Sequence, residues 1–591
     1  MRKSNYDKMP FVKVNGFDNS AWRGYDGILS EINRKIKSLA LDKTILVIDL
    51  YPGVNTEEVN YEIVKGLNPD IIINSDDASF SGEEITNIVQ RNLTDDRVFG
   101  VLSCHTIDEF FYSDKILYFN RKIKELEKGL VVIYGVGASL VNTGNIMVYA
   151  DLARWEIQQR YRKKQIANWK MKNYDEDILK KYKRGFFFEW RIADRHKKKI
   201  FDSVDYILDT NVYGDPKMIT KQAFIQGIEE TVSRPFRVVP FFDPGVWGGQ
   251  WMKEVCNLDK SVSNYAWCFD CVPEENSLYL KYGDIKVEIP SIDIVLYAPG
   301  PLLGEKVHAR FGTEFPIRFD FLDTMGGQNL SLQVHPITEY IQEKFGMHYT
   351  QDESYYILDA GENAEVYLGL KEGINKYDMF CDLESAERGE ISFSDEKYVN
   401  KFPAKKHDHF LIPAGTVHCA GSDSMILEIS ATPYIFTFKL WDWDRAGLDG
   451  LPRPVHLNHG KHIIQWNRTT KWVEENLVNN IEIIFDGNGL SKADGSYKEE
   501  RTGLHDTEFI ETRRHFFNKE IIHNTNGGVN VLNLVEGEEA IVKSPNNSFE
   551  PFIIHYAESF IVPARVGVYT IAPYGLSEGK EIVTLKAFVR V

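Results

Sequence analysis

The residues of this chain best suited to chemistry gather around one short run, Leu330-Ser331-Leu332-Gln333-Val334-His335-Pro336. In an extended strand Gln333 and His335 are two apart and project from one face, so an amide oxygen and an imidazole can converge on one ion. Two further donors follow. Glu353 opens the strand-like run Ser354-Tyr355-Tyr356-Ile357-Leu358, and His418 follows the turn Ile412-Pro413-Ala414-Gly415-Thr416-Val417. A Gln/His/Glu/His set is a nitrogen-and-oxygen site with room left for water or substrate. It suits one catalytic zinc per chain and admits other divalent metals. Taken singly, each residue also fits a structural role, a hydrogen-bonded strand histidine or a solvated carboxylate beside Asp352, and spacing alone leaves both readings open. Glu428 sits between Leu427 and Ile429 in an apolar strand. Burial raises a carboxyl pKa, which suits a base working near neutrality, and a structural carboxylate fits the same position equally well.

The elements that must position these residues are short strands separated by Gly, Pro and Asn turns, a pattern that begins after about Arg237 and predicts an all-β barrel or sandwich. Ser331–His335, Tyr355–Leu358, Ala364–Leu368 and Met425–Ile429 are its clearest strands. From Gly528 the same pattern returns. Val531–Gly537 followed by Phe560–Ala564 parallels Tyr356–Gly361 followed by Phe410–Gly415, which predicts two related barrels. The second has His555 but no paired Gln-x-His, so it reads as a metal-free structural barrel.

In the same order along the chain, Trp247-Gly248-Gly249, Phe315-Pro316, Leu330–Pro336, Glu353 with Tyr356–Ala360, Phe410–Cys419 and Lys439-Leu440-Trp441-Asp442-Trp443-Asp444-Arg445 resemble the motifs of type I mannose-6-phosphate isomerases. The resemblance covers roughly 237–591. It implies a double-cupin isomerase unit with some helices and zinc on Gln333, His335, Glu353 and His418. It also implies interconversion of mannose 6-phosphate and fructose 6-phosphate through an enediol. Glu428 matches a family acid proposed for proton transfer, and Lys439 falls where the family has an arginine. Ser331 and Arg445 match phosphate-contacting positions. Two departures bear on the substrate: Gln351 and Asp320 stand where the family usually has lysines, so another sugar, or a non-catalytic sugar-binding or regulatory role, is the alternative. Arg318, Lys405 and Lys406 are the cations that could compensate.

Before that unit, Lys43 to about Asn211 alternates buried strand-like runs (Thr44–Asp49, Asp70–Ile73, Val98–Leu102, Leu130–Tyr134) with helical segments, the pattern of an α/β layered domain. The expected division is 1–235 for this domain, 236–455 for the metal-binding cupin and 456–591 for the region with the second barrel, with a linker near Arg234-Pro235. Ile45–Thr56 has the strand, turn and helix outline of a phosphate-binding loop without its lysine. Gly135-Val136-Gly137, Phe188-Glu189-Trp190-Arg191 and Asp205–Asp209 make the domain resemble a degenerate P-loop nucleoside kinase. Whether it binds nucleotide stays open. Arg154–Lys199 carries 16 Lys/Arg against six Asp/Glu and reads as a solvated helical face.

Composition sets the outer bounds. The 591 residues call for several domains, and 69 basic against 86 acidic side chains give −17, which argues against nucleic acid or an anionic membrane as partner. Six cysteines, including the isolated Cys268-Phe269-Asp270-Cys271, are too sparse for a disulfide framework. No secretory signal or apolar span is evident, so the expected location is the cytoplasm and the expected partner a small sugar phosphate.

Overall fold

A computed structural model describes residues 3–431, 435–448, 450, 453–487 and 497–590. The chain divides into two compact units, Phe11–Thr231 with Glu274–Tyr297, and Met1–Pro10 with Val232–Pro273 and Ala298–Val591. Among the described residues no helix is long and apolar enough to cross a membrane.

The first unit is built on a seven-stranded sheet in the order Ala21–Arg23, Lys217–Thr220, Tyr206–Asp209, Ile146–Asp151, Lys43–Leu50, Gly129–Gly135, Ile71–Asn74. The last five are mutually parallel, as their continuous apolar runs require of strands covered on both faces. Val98–Leu102 is not among them. Its backbone is irregular, pinned by Asp96 Oδ1 accepting from Val98 and Phe99 N, and Gly100 packs under the Phe187 ring. After Leu50 the turn is closed by the unit's own side chains. Ile157 lies 2.7 Å from where a Cβ on Gly53 (φ +114°) would sit, and Arg160 Nη1 donates to Gly53 O at 3.2 Å. The helix that follows opens at Thr56–Glu58, capped by Asn55, and continues as a wider and then a tighter helical turn through Val59–Val64 and Lys65–Leu67.

The basic segment is a solvated face only in part: Lys163, Lys164, Lys180, Lys198 and Lys199 are exposed, but others are buried. Lys181 is fully buried and donates to Ile166 O and Tyr174 O, while Arg184 pairs with Glu189. Arg154 pairs with Asp194, and Lys197 lies between Asp151 (2.7 Å) and Asp293 (2.5 Å). These cations cap carbonyls and neutralise buried carboxylates. Asp293 arrives with the hairpin Ser277–Tyr282/Ile285–Pro290 and the helix Ile292–Tyr297, which join this unit from far along the chain.

The second unit holds two pairs of antiparallel sheets. In the first pair a six-stranded sheet runs His409–Ile412, Glu353–Ala360, Ser424–Ala431, Ile317–Asp323, Trp267–Cys271, Phe241–Asp243. A five-stranded sheet runs Val399–Pro403, Glu365–Leu370, His418–Ala420, Leu332–Val334, Phe438–Trp441. The second pair contains Glu482–Asp486, Tyr497–Gly503, Ile510–Phe517, Ile582–Val589, Asn530–Glu536, Ser559–Val562 opposite Ile521–Asn524, Val568–Pro573, Glu539–Lys543, Phe552–His555. A core of Phe517, Leu532, Leu534, Val542, Ile554 and Ile571 draws on both of its sheets.

The expected linker is structured too. Phe236 exchanges both backbone bonds with Ile561 (3.0 and 2.8 Å), and Arg237 reaches Glu558 at 2.7 Å and Asp270 at 3.3 Å, all three buried. Arg237 therefore joins a strand of each sheet pair in one ion cluster. Removing one partner of a buried pair strands the other charges. Arg237→Met is expected to lower unfolding stability by about 3–5 kcal/mol in denaturant titration, with part of that loss recovered when Asp270→Asn and Glu558→Gln are added.

Candidate metal centre

The register of the five-stranded sheet sets one side of the site. Gln333 is directly opposite both His418 and Lys439, so these three residues form a row across three strands. His335 follows Leu332–Val334 on the same face as Gln333. The six-stranded sheet contributes a second block. Ser430 is opposite Glu353 and Arg318, and Glu428 is opposite Tyr355 and Asp320.

The two blocks meet at Glu353. His335 Nε2 lies 3.0 Å from its Oε2 and His418 Nε2 lies 2.9 Å from its Oε1, with all three side chains buried. The far nitrogen of each ring faces a backbone carbonyl, Nδ1 of His335 to Phe436 O at 3.3 Å and Nδ1 of His418 to Thr416 O at 2.9 Å. A carbonyl can only accept, so each Nδ1 carries a proton, and in the neutral ring each Nε2 presents a lone pair. Two nitrogen lone pairs then face a carboxylate. Among the described residues His335 Nε2 and Glu353 Oε1 have no hydrogen-bond partner. Such a set repels itself unless the rings are protonated or a cation sits among them, and the ligand atoms lie within 4.8 Å of one another, a spacing one divalent ion can bridge. Burial pushes the Glu353 carboxyl up, but His335 and His418, when protonated, outweigh it and hold it well below the usual range. The Gln333 carboxamide lies 3.2 Å from His418 Nε2, and Gln351 Nε2 donates to Glu353 Oε2 at 2.9 Å. A half-turn of the Gln333 amide exchanges its donor for an acceptor at that place.

Glu428 is buried beside this group. Its Oε1 accepts from Arg318 Nη2 (2.5 Å) and Ser430 Oγ (3.0 Å), and Arg318 Nε also contacts Asp320 at 3.1 Å. Burial first, then Asp320 and Glu353, push the Glu428 carboxyl well above its ordinary value against the pull of Arg318. Asp320 is pushed up to about 6 by burial, with Arg318 opposing. Of the three cations considered, Arg318 is the one in this block, where it is bonded to Glu428 and Asp320. Lys405 is exposed and Lys406 pairs with Glu536, outside this block.

Ser331 and Arg445 do come together, on Asp442. Ser331 Oγ donates to Asp442 Oδ1 at 2.7 Å and Arg445 Nη2 to the same oxygen at 2.6 Å. Arg453, which sequence reasoning missed, reaches Asp442 Oδ2 at 3.0 Å. Two guanidiniums thus face one carboxylate. Tyr355 was missed as well. It is buried with its ring 5.9 Å from that of His418, and its hydroxyl has no partner among the described residues. Tyr355 could be found only from strand register, and Arg453 only from the fold of the loop after Trp441.

Known proteins match different parts of the chain. Residues 24–233 match a family model described as a domain of unknown function, DUF8485. Over 235 residues the chain is 30% identical to the mannose-6-phosphate isomerase of Streptococcus mutans, covering 39% of this chain and 68% of that protein. It is also 30% identical over 154 residues to mannose-6-phosphate isomerase ManA of Bacillus subtilis, covering 26% of this chain and 45% of that protein, so the chain spans under half of that relative. Among solved structures, the mannose 6-phosphate isomerase from Bacillus subtilis aligns with a TM-score of 0.47 at 18% identity, covering 60% of this chain and 99% of that one. A variant of phosphomannose isomerase from Salmonella typhimurium aligns with a TM-score of 0.44 at 13% identity, covering 61% and 100%. The kinase-like resemblance of the N-terminal part has no counterpart in these matches.

If the three convergent donors form a metal site, chelator-treated protein is expected to gain about 2.7 kcal/mol of stability when a divalent metal is present at 100 times its Kd. In thermal or denaturant melts, His418→Asn should abolish that gain while leaving the metal-free melt close to wild type.

Proposed function

The chain belongs to the mannose-6-phosphate isomerase family, and from that premise we propose that it is a metal-dependent aldose-ketose isomerase interconverting mannose 6-phosphate and fructose 6-phosphate. The observation that carries the reading is the pair of imidazoles tethered through Nδ1, with both Nε2 atoms aimed at the Glu353 carboxylate. Gln333, His335, Glu353 and His418 would hold zinc or another divalent metal, which when bound supplies positive charge for the oxygens of an enediol.

The remaining chemistry falls to the chain's own residues. Moving a carbonyl between C1 and C2 requires one group to carry a proton between those carbons. Glu428 suits that task because its Oε1 is anchored by Arg318 and Ser430, while Oε2 has no bond to a described residue. The elevated carboxyl supports the role, since such a group can both take and return a proton near neutrality. Lys439, in the row with Gln333 and His418, adds positive charge on the opposite sheet. Ser331 and Arg445 would receive the phosphate with Arg453 beside them, the guanidinium fork being well matched to a tetrahedral oxyanion.

A second reading, another sugar or a non-catalytic sugar-binding role, is favoured by one observation. Arg318, the cation of the acidic block, is already bonded to Glu428 and Asp320. A panel of phosphorylated and free hexoses on metal-quantified protein separates the two readings. For the isomerase, Glu428→Gln is expected to lower kcat by about 10²–10⁴-fold with metal content unchanged, and Arg445→Met to act mainly through KM for the phosphorylated sugar. Turnover that survives replacement of both His335 and His418 would sink the metal-dependent reading, and saturable binding without isomerisation would establish the alternative.

A further inference from the structure

The second sheet pair lacks a Gln-x-His, yet it is not inert inside. The histidine expected at depth, His555, is only partly buried and engages Glu558. Two others occupy the interior. His515, on Ile510–Phe517 of the six-stranded sheet, is 3 % exposed, and His523, on Ile521–Asn524 of the facing sheet, is 4 % exposed, with ring centroids 4.7 Å apart. His515 Nδ1 and His523 Nε2 have no hydrogen-bond partner among the described residues. The register puts Thr584 directly opposite His515, and its hydroxyl, 0 % exposed, is also without a partner. One pleat along the same strand and face stands Lys586. Its ammonium makes no hydrogen bond or ion pair to a described residue and lies 5.6 Å from the centroid of the Phe588 ring.

Three buried polar atoms without a partner among the described residues, Nδ1 of His515, Nε2 of His523 and the Thr584 hydroxyl, therefore stand near the partly exposed Lys586 ammonium, beside a core that includes Phe517, Leu534 and Ile582. Leaving so many buried polar atoms unbonded is costly, which points to a guest that satisfies them. The charges select its sign. Lys586 is the charge of this group without a bonded partner among the described residues, since Arg513 pairs with both Glu499 (Nη1 to Oε1, 3.2 Å) and Glu511. Glu499 Oε1 is 3.7 Å from His515 Nε2, beyond hydrogen-bond range. A metal is disfavoured by the ammonium, and among the described residues the only His/Glu cluster with metal-ligand spacing is the one in the first sheet pair. Donors arriving from both sheets suit a tetrahedral oxyanion better than a planar carboxylate.

We propose that the interior of the second sheet pair is a phosphate-binding site, separate from the candidate metal centre, built by Lys586, His515, His523 and Thr584. Burial pulls Lys586 down to about 8 against the attraction of Glu499, as befits an ammonium awaiting a counterion. The inference does not depend on isomerase activity, and its test keeps the two apart.

The test is calorimetric titration of the full-length protein carrying Arg445→Met, which disables the proposed phosphate end of the first sheet pair. The titrants are inorganic phosphate, a hexose 6-phosphate and the free hexose. One saturable phosphate-dependent event is expected, weakened about tenfold or more by Lys586→Met and also weakened by Thr584→Val, which keeps the side-chain volume. Protection of Lys586 from acetylation by the same titrant, read by mass spectrometry on otherwise unaltered protein, is the parallel measurement. Binding of inorganic phosphate identifies the free ion as guest, and binding of the hexose phosphate alone identifies a phosphorylated metabolite. Absence of any phosphate-dependent event, or one indifferent to both Lys586→Met and Thr584→Val with Lys586 unprotected, would overturn the proposal.

Discussion

Everything about the candidate centre depends on strand register. A slip of one residue in Leu332–Val334 would turn Gln333 away from His418 and Lys439, because side chains alternate faces. The same slip in Ser424–Ala431 would remove Glu428 and Ser430 from the block formed with Arg318 and Asp320. No single donor is anchored strongly by itself. The long ladder between Ile317–Asp323 and Ser424–Ala431, in register from Ile317↔Ala431 to Asp323↔Met425, keeps Asp320 and Glu428 on Arg318, while the pairing of Ser430 with Glu353 sets that carboxylate against the two imidazoles.

Electrostatics explains why that group is tolerable. Glu353, Glu428 and Asp320 would repel one another severely in a buried space, and only partners or protonation make their burial affordable. Arg318 serves two of the three, and the imidazoles serve the third. Arg318 and Asp320 share one strand and face, so the guanidinium is held by the block's own carboxylates.

The parts of this arrangement that were legible in the sequence are those that local geometry determines. Gln333 and His335 are two apart on a strand, so their convergence follows from the pleat, and the apolar runs Thr44–Asp49 and Leu130–Tyr134 announce parallel strands by composition. What could not be read depends on distant pairing. Val98–Leu102 has a strand's composition but is held by Asp96 in an irregular path. Lys181 and Arg160 look like surface charge until the carbonyls they cap are known. Arg453 and Tyr355 acquire a role only through Asp442 and His418. His515 and His523 face each other across two sheets, a relation that eight residues of separation do not encode.

The path of the chain between its units has a consequence for how the protein is made. Residues 274–297 complete the first unit, supplying Asp293 to Lys197, yet they are synthesised after two strands of the second. The first ten residues belong with the second unit, where Asp7 N donates to Glu558, so they must wait for almost the last strands to emerge. A ribosome delivering this chain from its N-terminus cannot release the units as finished modules in order. Residues 3–10 are among the last to be placed, and Trp267–Cys271 remains an open sheet edge until Ile317–Asp323 arrives. Truncation at either end, or expression of the first 235 residues alone, would thus remove sequence that the remaining portion uses to close.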